Sequence, residues 1–242
     1  MSNIPHLIHY FWFGNSPKPD LVKKCIESWR TFCPDFEIKE WNESNYDVNS
    51  HPFMKKAYEE KKWAFVTDYA RLDILYKYGG IYLDTDVEIL KDFSPLCMHK
   101  AYMGFERDDV VGDGAGMGFS PGMPILKEMM ACYDNLDDYI ESPKLRTQIL
   151  IRHGLKQDGK KQCISEVVVY PVDFFCPKSF STGKLKVTEN TYSIHHFKGS
   201  WHSQRGLAYL SVMRTLNAVF GEEIGMNIYH ALISIKDCIR NK

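Results

Sequence analysis

Asp84 and Asp86 close an otherwise apolar run, GGIYLDTDVEIL, from Gly79 to Leu90. Two carboxylates two residues apart leave the same face of an extended chain. They repel, and each raises the pKa of the other, unless a cation lies between them. At the carboxyl end of a strand in an α/β sheet, where such sheets bind ligands, the pair suits a hard divalent ion. Mg²⁺ or Mn²⁺ held by one or two carboxylates keeps open positions for phosphate oxygens. The chemistry is that of gripping a diphosphate. The plainer reading is a solvated strand end with a turn-forming aspartate.

A second pair stands just upstream, in AFVTDYARLDILYKYGG. Asp68 and Arg71 are three residues apart, so on a helix they share a face. As an exposed ion pair they contribute only a few tenths of a kcal/mol. As a functional pair they bring a carboxylate and a planar guanidinium fork to sugar hydroxyls and phosphate.

These residues need elements to hold them. Phe65, Tyr69, Leu72 and Tyr76 are spaced 4, 3 and 4 apart and lay an apolar stripe along a helix within Phe53 to Tyr78, on a different face from Asp68 and Arg71. Gly79-Gly80 stops that helix, and Lys77 complements its carboxyl end. The strand Ile81 to Leu83 follows at once. Upstream, Leu7 to Phe13 reads as a buried strand closed by Gly14-Asn15. A helix is predicted over Pro19 to Phe32, ended by Pro34, and FEIKEW (Phe36 to Trp41) alternates as a strand. Downstream, Ala101 to Glu106 and Gly116 to Ser120 read as short strands, Pro124 to Leu136 as a helix, and SEVVVYPVDFF as a further β segment. Leu207, Leu210, Met213 and Leu216 make the C-terminal part helical. The alternation of strands and helices predicts an α/β sheet with a largely parallel core. With no repeat, linker or composition break in the chain, residues 1–242 read as one domain.

The composition excludes several classes. A length of 242 residues allows a sizeable core. A net charge of −1 gives no electrostatic case for a nucleic-acid partner. Seven scattered cysteines with no C-x-x-C pair support neither a zinc knuckle nor a disulfide framework, and fit a reducing compartment. The N-terminus is a poor signal peptide, and no window reaches the roughly 20 apolar residues of a spanning helix. A cytoplasmic protein is expected. The apolar face of Leu207, Leu210, Val212, Met213, Leu216 and Val219 fits core packing or a peripheral contact at the inner membrane face.

The stretch D-Y-A-R-L-x-I-L-Y-x-Y-G-G-I-Y-L-D-T-D-V resembles the DXD sugar transferases of glycosyltransferase family 32, relatives of the glucosyltransferase domain of large clostridial toxins. The likeness is dense from Ala64 to Glu88. It returns at IHYFWFG near the N-terminus and at IHHFKGSW, Ile194 to Trp201. The resemblance implies a GT-A-type, Rossmann-like fold that binds a nucleotide sugar. It also implies metal-dependent, retaining transfer of a hexose from a nucleotide-diphosphate sugar, UDP-sugar favoured, to a saccharide or glycolipid hydroxyl. Surface or capsular polysaccharide synthesis is the setting it suggests.

The roles it implies fall on named residues. Trp12 stacks on the base, Tyr82 approaches the ribose, and Asp84 sits between ribose and metal. Asp86 is the principal ligand of Mn²⁺ or Mg²⁺, with His196 as a further ligand. Asp68 and Arg71 hold the donor sugar, and Ser200 and Trp201 close over the diphosphate. Asp113, in VGDGAGMGF, lies in a glycine-rich loop able to reach a sugar. Plainer readings are core packing for Trp12, a structural hydrogen bond for either histidine and a hydrophobic anchor for Trp201. IYLDTDV is also similar to D-x-D phosphatases, but those carry Gly-Thr where Val87-Glu88 stand. A non-catalytic sugar- or metal-binding module is the third reading; the retained Asp68, Arg71, Asp84 and Asp86 set speaks against it.

Overall fold

The turn that joins the helix of Asp68 and Arg71 to the strand of Asp84 can be made only by glycine. Gly79 and Gly80 have φ of 64° and 98°, a region where a side chain is strained. A Cβ on Gly79 would stand 2.7 Å from the Pro121 ring, and one on Gly80 2.6 Å from the Leu7 carbonyl oxygen. The chain therefore passes from helix to strand with no connecting loop, and the two pairs of functional candidates are placed by one rigid hinge.

The structure is a computed structural model and describes residues 3–136, 138–198, 204–221, 223–229 and 231. In chain order its elements are β1 (Leu7–Phe11), α1 (Asp20–Phe32), β2 (Glu37–Trp41), α2 (Pro52–Glu59), α3 (Trp63–Tyr78), β3 (Gly80–Tyr82), β4 (Val87–Ile89), β5 (Ala101–Arg107), β6 (Val110–Gly112) and β7 (Met117–Phe119). There follow α4 (Pro124–Ala131), α5 (Ser142–Arg152), β8 (Gln162–Ile164), β9 (Val167–Tyr170), α6 (Val172–Phe175), β10 (Ser193–His195) and α7 (Gln204–Phe220). The contacts group these into two compact units, one of Met1–Pro177 with Val187–His196 and one of Lys178–Lys186 with Phe197 onward.

The larger unit holds a sheet ordered β2-β1-β3-β7-β5-β9-β8, with β6 on β5. The pairs β2–β1, β1–β3 and β5–β9 are parallel, and β7 is antiparallel to both β3 and β5. Strands β1, β2, β3, β5 and β9 thus share one direction, so the expected α/β fold with a largely parallel sheet is found. Alternation along β5 sends Ala101, Met103 and Phe105 into the main apolar cluster, with Leu72, Leu126, Ile149 and Leu150 of α3, α4 and α5. Tyr102 turns the other way and stacks on Phe175 of α6, with ring centroids 5.6 Å apart. Both faces of the sheet are covered, as a parallel sheet requires.

At the centre, His9 of β1 is fully buried. The Trp41 indole N–H donates to its Nδ1 at 3.0 Å, so its Nε2–H donates to the Gly79 carbonyl at 2.9 Å. This is a satisfied core histidine, and it pins the helix–strand hinge from below. Burial lowers its pKa to about 4, against the smaller opposing effect of the Gly79 hydrogen bond.

Two expected elements differ. The single helical segment from Phe53 to Tyr78 is two helices, α2 and α3, because Lys61 takes a positive φ of 56° between them. VVVY is strand β9, but the VDFF that follows Pro171 is the short helix α6. In the smaller unit, Arg214 of α7 donates to the Phe180 carbonyl at 3.0 Å and Asn217 to that of Ser181 at 3.0 Å. Leu210 and Met213 of α7 are buried there, whereas Val212, Val219 and Phe220 are exposed.

Candidate active site

Asp84 follows β3 after one residue, Leu83, and its environment is set by the backbone first. Its N–H donates to the Gly114 carbonyl at 2.8 Å, and its carbonyl accepts from Val87 N–H at 3.1 Å. Residues 84–87 are therefore a tight turn between β3 and β4 rather than the extended strand end read from the sequence. The two acids converge through the turn, not through strand alternation.

The third member of the group comes from far along the chain. Strand β10 pairs antiparallel with β4, His195 opposite Val87. This places His195 Nε2 3.3 Å from Asp86 Oδ1 and 3.9 Å from Asp84 Oδ2. Asp84, Asp86 and His195 each offer one ligand atom, all within 4.8 Å of one another. Two carboxylate oxygens and one imidazole nitrogen fit a divalent cation. Gly114 is part of the fit, since a Cβ there would lie 2.0 Å from Asp84 Oδ2. Burial works to lower the His195 pKa, but the Asp86 carboxylate, hydrogen bonds to Asp86 and Cys176, and Asp84 together raise it well above the ordinary histidine range.

The adjacent His196, expected at the metal, points elsewhere. Its Nε2 lies 2.9 Å from Glu88 Oε2, a carboxylate also held by Lys24 of α1 at 2.9 Å. Neighbouring residues on a strand diverge, and the β4–β10 register gives the cation group to His195.

Asp68 and Arg71 are buried, with 6% and 4% of their surface exposed, so the exposed ion pair is set aside. Arg71 Nε donates to the Thr67 carbonyl at 3.0 Å and Nη1 to Asp113 Oδ1 at 2.9 Å. Nη2 meets Asp68 at 3.0 Å, the Thr67 hydroxyl at 3.0 Å and Asp84 at 3.5 Å. All three guanidinium nitrogens are engaged with protein. The fork that the sequence aimed at a sugar is turned on the carboxylates.

Tyr82, expected at the ribose, is buried too. Its hydroxyl donates to Asp84 Oδ1 at 2.7 Å, and its ring lies 4.5 Å from the Arg71 guanidinium carbon. Trp12 is only partly buried. Its indole N–H donates to the Ser16 carbonyl at 2.7 Å, and the Lys18 ammonium stands 5.7 Å from its ring. The parallel register His9–Tyr82 brings Trp12 and Asp84 out at the same, carboxyl end of the sheet. Ser200 and Trp201 lie outside the described residues.

Four residues of this region had no strong signal in the sequence. Asp113, 3% exposed, accepts from Arg71 and lies 3.2 Å from Arg146 Nε. Arg146, wholly buried on α5, donates through Nη2 to the Asp68 carbonyl and the Tyr133 hydroxyl, both at 2.8 Å. Ser142, one turn earlier, donates to Asp113 at 3.1 Å. Burial raises the Asp68 pKa to about 7 against the pull of Arg71, with Asp113 adding to the rise. Glu106, at the carboxyl end of β5, is the fourth; burial raises its pKa while His195 opposes the shift.

In open α/β sheets ligands bind beyond the carboxyl ends of the strands, and the Asp84–Asp86–His195 group lies at that edge. Residues 19–103 match the glycosyltransferase sugar-binding region containing the DXD motif. Inositol phosphoceramide mannosyltransferase 3 of Schizosaccharomyces pombe is 30% identical over 134 residues, 52% of this chain and 36% of that protein. The human alpha-1,4-N-acetylglucosaminyltransferase is 25% identical over 175 residues, 65% of this chain and 49% of that one. The chain thus spans half or less of the length of these relatives. Among solved structures, the PaToxG glycosyltransferase superposes with a TM-score of 0.51 at 18% identity, over 62% of this chain and 69% of that one. That likeness shows the fold, a GT-A-type domain.

Proposed function

We propose that the chain is a glycosyltransferase that moves a hexose from a nucleotide-diphosphate sugar, a UDP-sugar before others, to a saccharide hydroxyl with retention of configuration. One observation carries the reading: Asp84, Asp86 and His195 converge at the carboxyl edge of the sheet, within and beside the matched DXD region. A divalent ion held there, Mn²⁺ in first place, supplies positive charge to the leaving diphosphate. The chain's own residues do the rest. Asp84 and Asp86 hold the ligand geometry, and Trp12 offers an indole face to the base. Tyr82, Asp68 and Arg71 act as positioning residues that fix Asp84. Ser200 and Trp201 are proposed to close on the diphosphate. In the transfer, the sugar C1–O bond to phosphate breaks, the acceptor oxygen bonds to C1, and the acceptor proton passes to the departing phosphate.

The acceptor side of the proposal includes a saccharide or glycolipid of surface or capsular polysaccharide synthesis. It also includes peripheral membrane contact through Val212, Val219 and Phe220, which α7 leaves exposed. Among the described residues no helix is long and apolar enough to cross a membrane. A reducing, cytoplasmic setting belongs to the same proposal, and the six described cysteines are free thiols.

The test is a hydrolysis screen with UDP- and GDP-sugars and Mn²⁺, comparing wild type with Asp86→Ala. Turnover of one donor by wild type, lost in the variant and in excess chelator, is the expected result. Turnover that survives both would overturn the cation role, and no turnover of any donor would overturn the transferase reading.

A further inference from the structure

Strand β5 departs from regular pairing at one residue. Phe105 pairs with Val111 and Arg107 with Val110, so Glu106 is the extra residue of a β-bulge. A bulge re-aims the side chain it carries, and such sites cluster beside functional centres. Here the re-aimed group is a carboxylate, partly exposed, at the carboxyl end of a strand that runs in the same direction as β3.

The facing strand makes room for it. A Cβ on Gly112 would stand 3.0 Å from both Cβ and Oε2 of Glu106. Gly112 is not among the positive-φ glycines, so its conformation does not call for glycine. The space does. Two residues on, Gly114 makes the same allowance for Asp84 and His195, at 2.0 and 3.4 Å. Asp113 between them points to the buried arginines instead. Gly112 thus adjoins Glu106 and Gly114 adjoins Asp84 and His195, and two residues of chain span at most about 7 Å, so Glu106 stands close to the cation group.

The remaining acids of the region are committed. Asp68 and Asp113 are paired with buried arginines, and Asp84 takes the Tyr82 hydroxyl. Among the described residues no hydrogen bond or ion pair holds the Glu106 carboxylate, and the nearby Arg107–Asp109 pair at the hairpin tip does not include it. An acid that only solvated the hairpin would need neither the bulge nor Gly112.

We propose that Glu106 is a sugar-contacting residue of this site, its carboxylate accepting a hydrogen bond from a hydroxyl of the transferred or the acceptor sugar. The inference rests on the transferase reading. The two sources of the hydroxyl separate in the assay, because donor hydrolysis needs no sugar acceptor.

Glu106→Gln keeps the shape and removes the charge; Gly112→Ala keeps the carboxylate and displaces it. Both are measured for hydrolysis of the donor found in the screen and for transfer to a panel of methyl hexosides, with UDP and Mn²⁺ titration as the control. UDP and Mn²⁺ binding is expected within about twofold of wild type, and the sugar step to fall roughly 10- to 100-fold, the size of one hydrogen bond to a charged group. A fall in hydrolysis and transfer together assigns the donor hydroxyl. A fall in transfer alone, with a raised acceptor KM, assigns the acceptor. Wild-type rates in both assays for a folded Glu106→Gln overturn the proposal while the transferase reading stands. A wild type inactive with every donor overturns both.

Discussion

Replacing Arg71 by lysine keeps one positive charge and removes the planar fork, and the structure sets how much that costs. Arg71 reaches Asp113 at 2.9 Å, Asp68 at 3.0 Å and Asp84 at 3.5 Å from two different nitrogens. A single ammonium cannot stand at all three positions. Arg146 still faces Asp113, but Asp68 and Asp84 lose their guanidinium partner. Taking away one partner of a buried charge pair destabilises by about 3–5 kcal/mol. In a chain of this size each kcal/mol moves the melting point by about 2–4 °C, so Arg71→Lys should melt roughly 6–20 °C below wild type. As the exposed i,i+3 pair that the sequence allows, the same change would cost only a few tenths of a kcal/mol. Circular dichroism melts and urea titration measure the difference directly. Mn²⁺ affinity should fall in the same variant, because Asp84 loses the guanidinium fork that helps orient it. A variant that melts within about 2 °C of wild type would refute the reasoning, since the buried cluster would then contribute no more than a surface pair.

The register of β10 on β4 predicts that His195→Ala weakens Mn²⁺ binding at least about 100-fold while His196→Ala leaves it near wild type; calorimetry showing the reverse order would sink the His195 assignment. Because His195 is held protonated by the two acids, Mn²⁺ binding should release close to one proton, read from titrations in two buffers of different ionisation enthalpy. Folding keeps His9 neutral, so below pH 6.5 the unfolded chain takes up a proton that the folded chain refuses down to about pH 4. Its stabilising contribution is full above 6.5 and falls by roughly 3 kcal/mol as pH drops to 4. Asp68 acts with opposite sign, its contribution being full below 3.8 and lost as pH rises through about 7. The urea midpoint of His9→Gln should therefore depend less steeply on pH between 4 and 6.5 than that of wild type; parallel slopes would refute the linkage. Trp12→Ala should weaken UDP binding by about 1–3 kcal/mol with little change in melting temperature, because Trp12 is only partly buried; normal UDP affinity in a destabilised variant would return Trp12 to the core.

What could be read from the sequence follows the range of the interactions concerned. Elements α1, β2 and the α3–β3 hinge rest on local periodicity and on Gly79-Gly80, and these were legible. Asp84 and Asp86 were legible as a pair because both fall within one turn, although strand alternation was the wrong reason. The choice between His195 and His196 depends on the β4–β10 register, a contact across more than a hundred residues, and adjacent histidines carry no mark of it. Arg146 reads as one cation among leucines and isoleucines. Only the fold shows that its α5 face meets Asp113 rather than water. Glu106 was hidden for the same reason, since a bulge is a property of two strands.

A buried cluster of two arginines and two acids, with Asp84 at its margin, is a poor way to stabilise a core. Apolar residues of equal volume serve as well or better, because the desolvation of each ion offsets most of the Coulomb attraction. What the cluster supplies is placement. Asp113 is fixed by Arg146 and Ser142 from α5, Arg71 is fixed by Asp113 and Thr67, and Asp84 is fixed by Arg71, Tyr82 and the Gly114 carbonyl. Each link is a hydrogen bond or a close ion pair, so the Asp84 carboxylate is oriented before any ligand arrives. A cation site built on a free turn would have to meet that ordering cost on binding. Here folding meets it, and loss of stability in Arg71→Lys is the other side of the same arrangement.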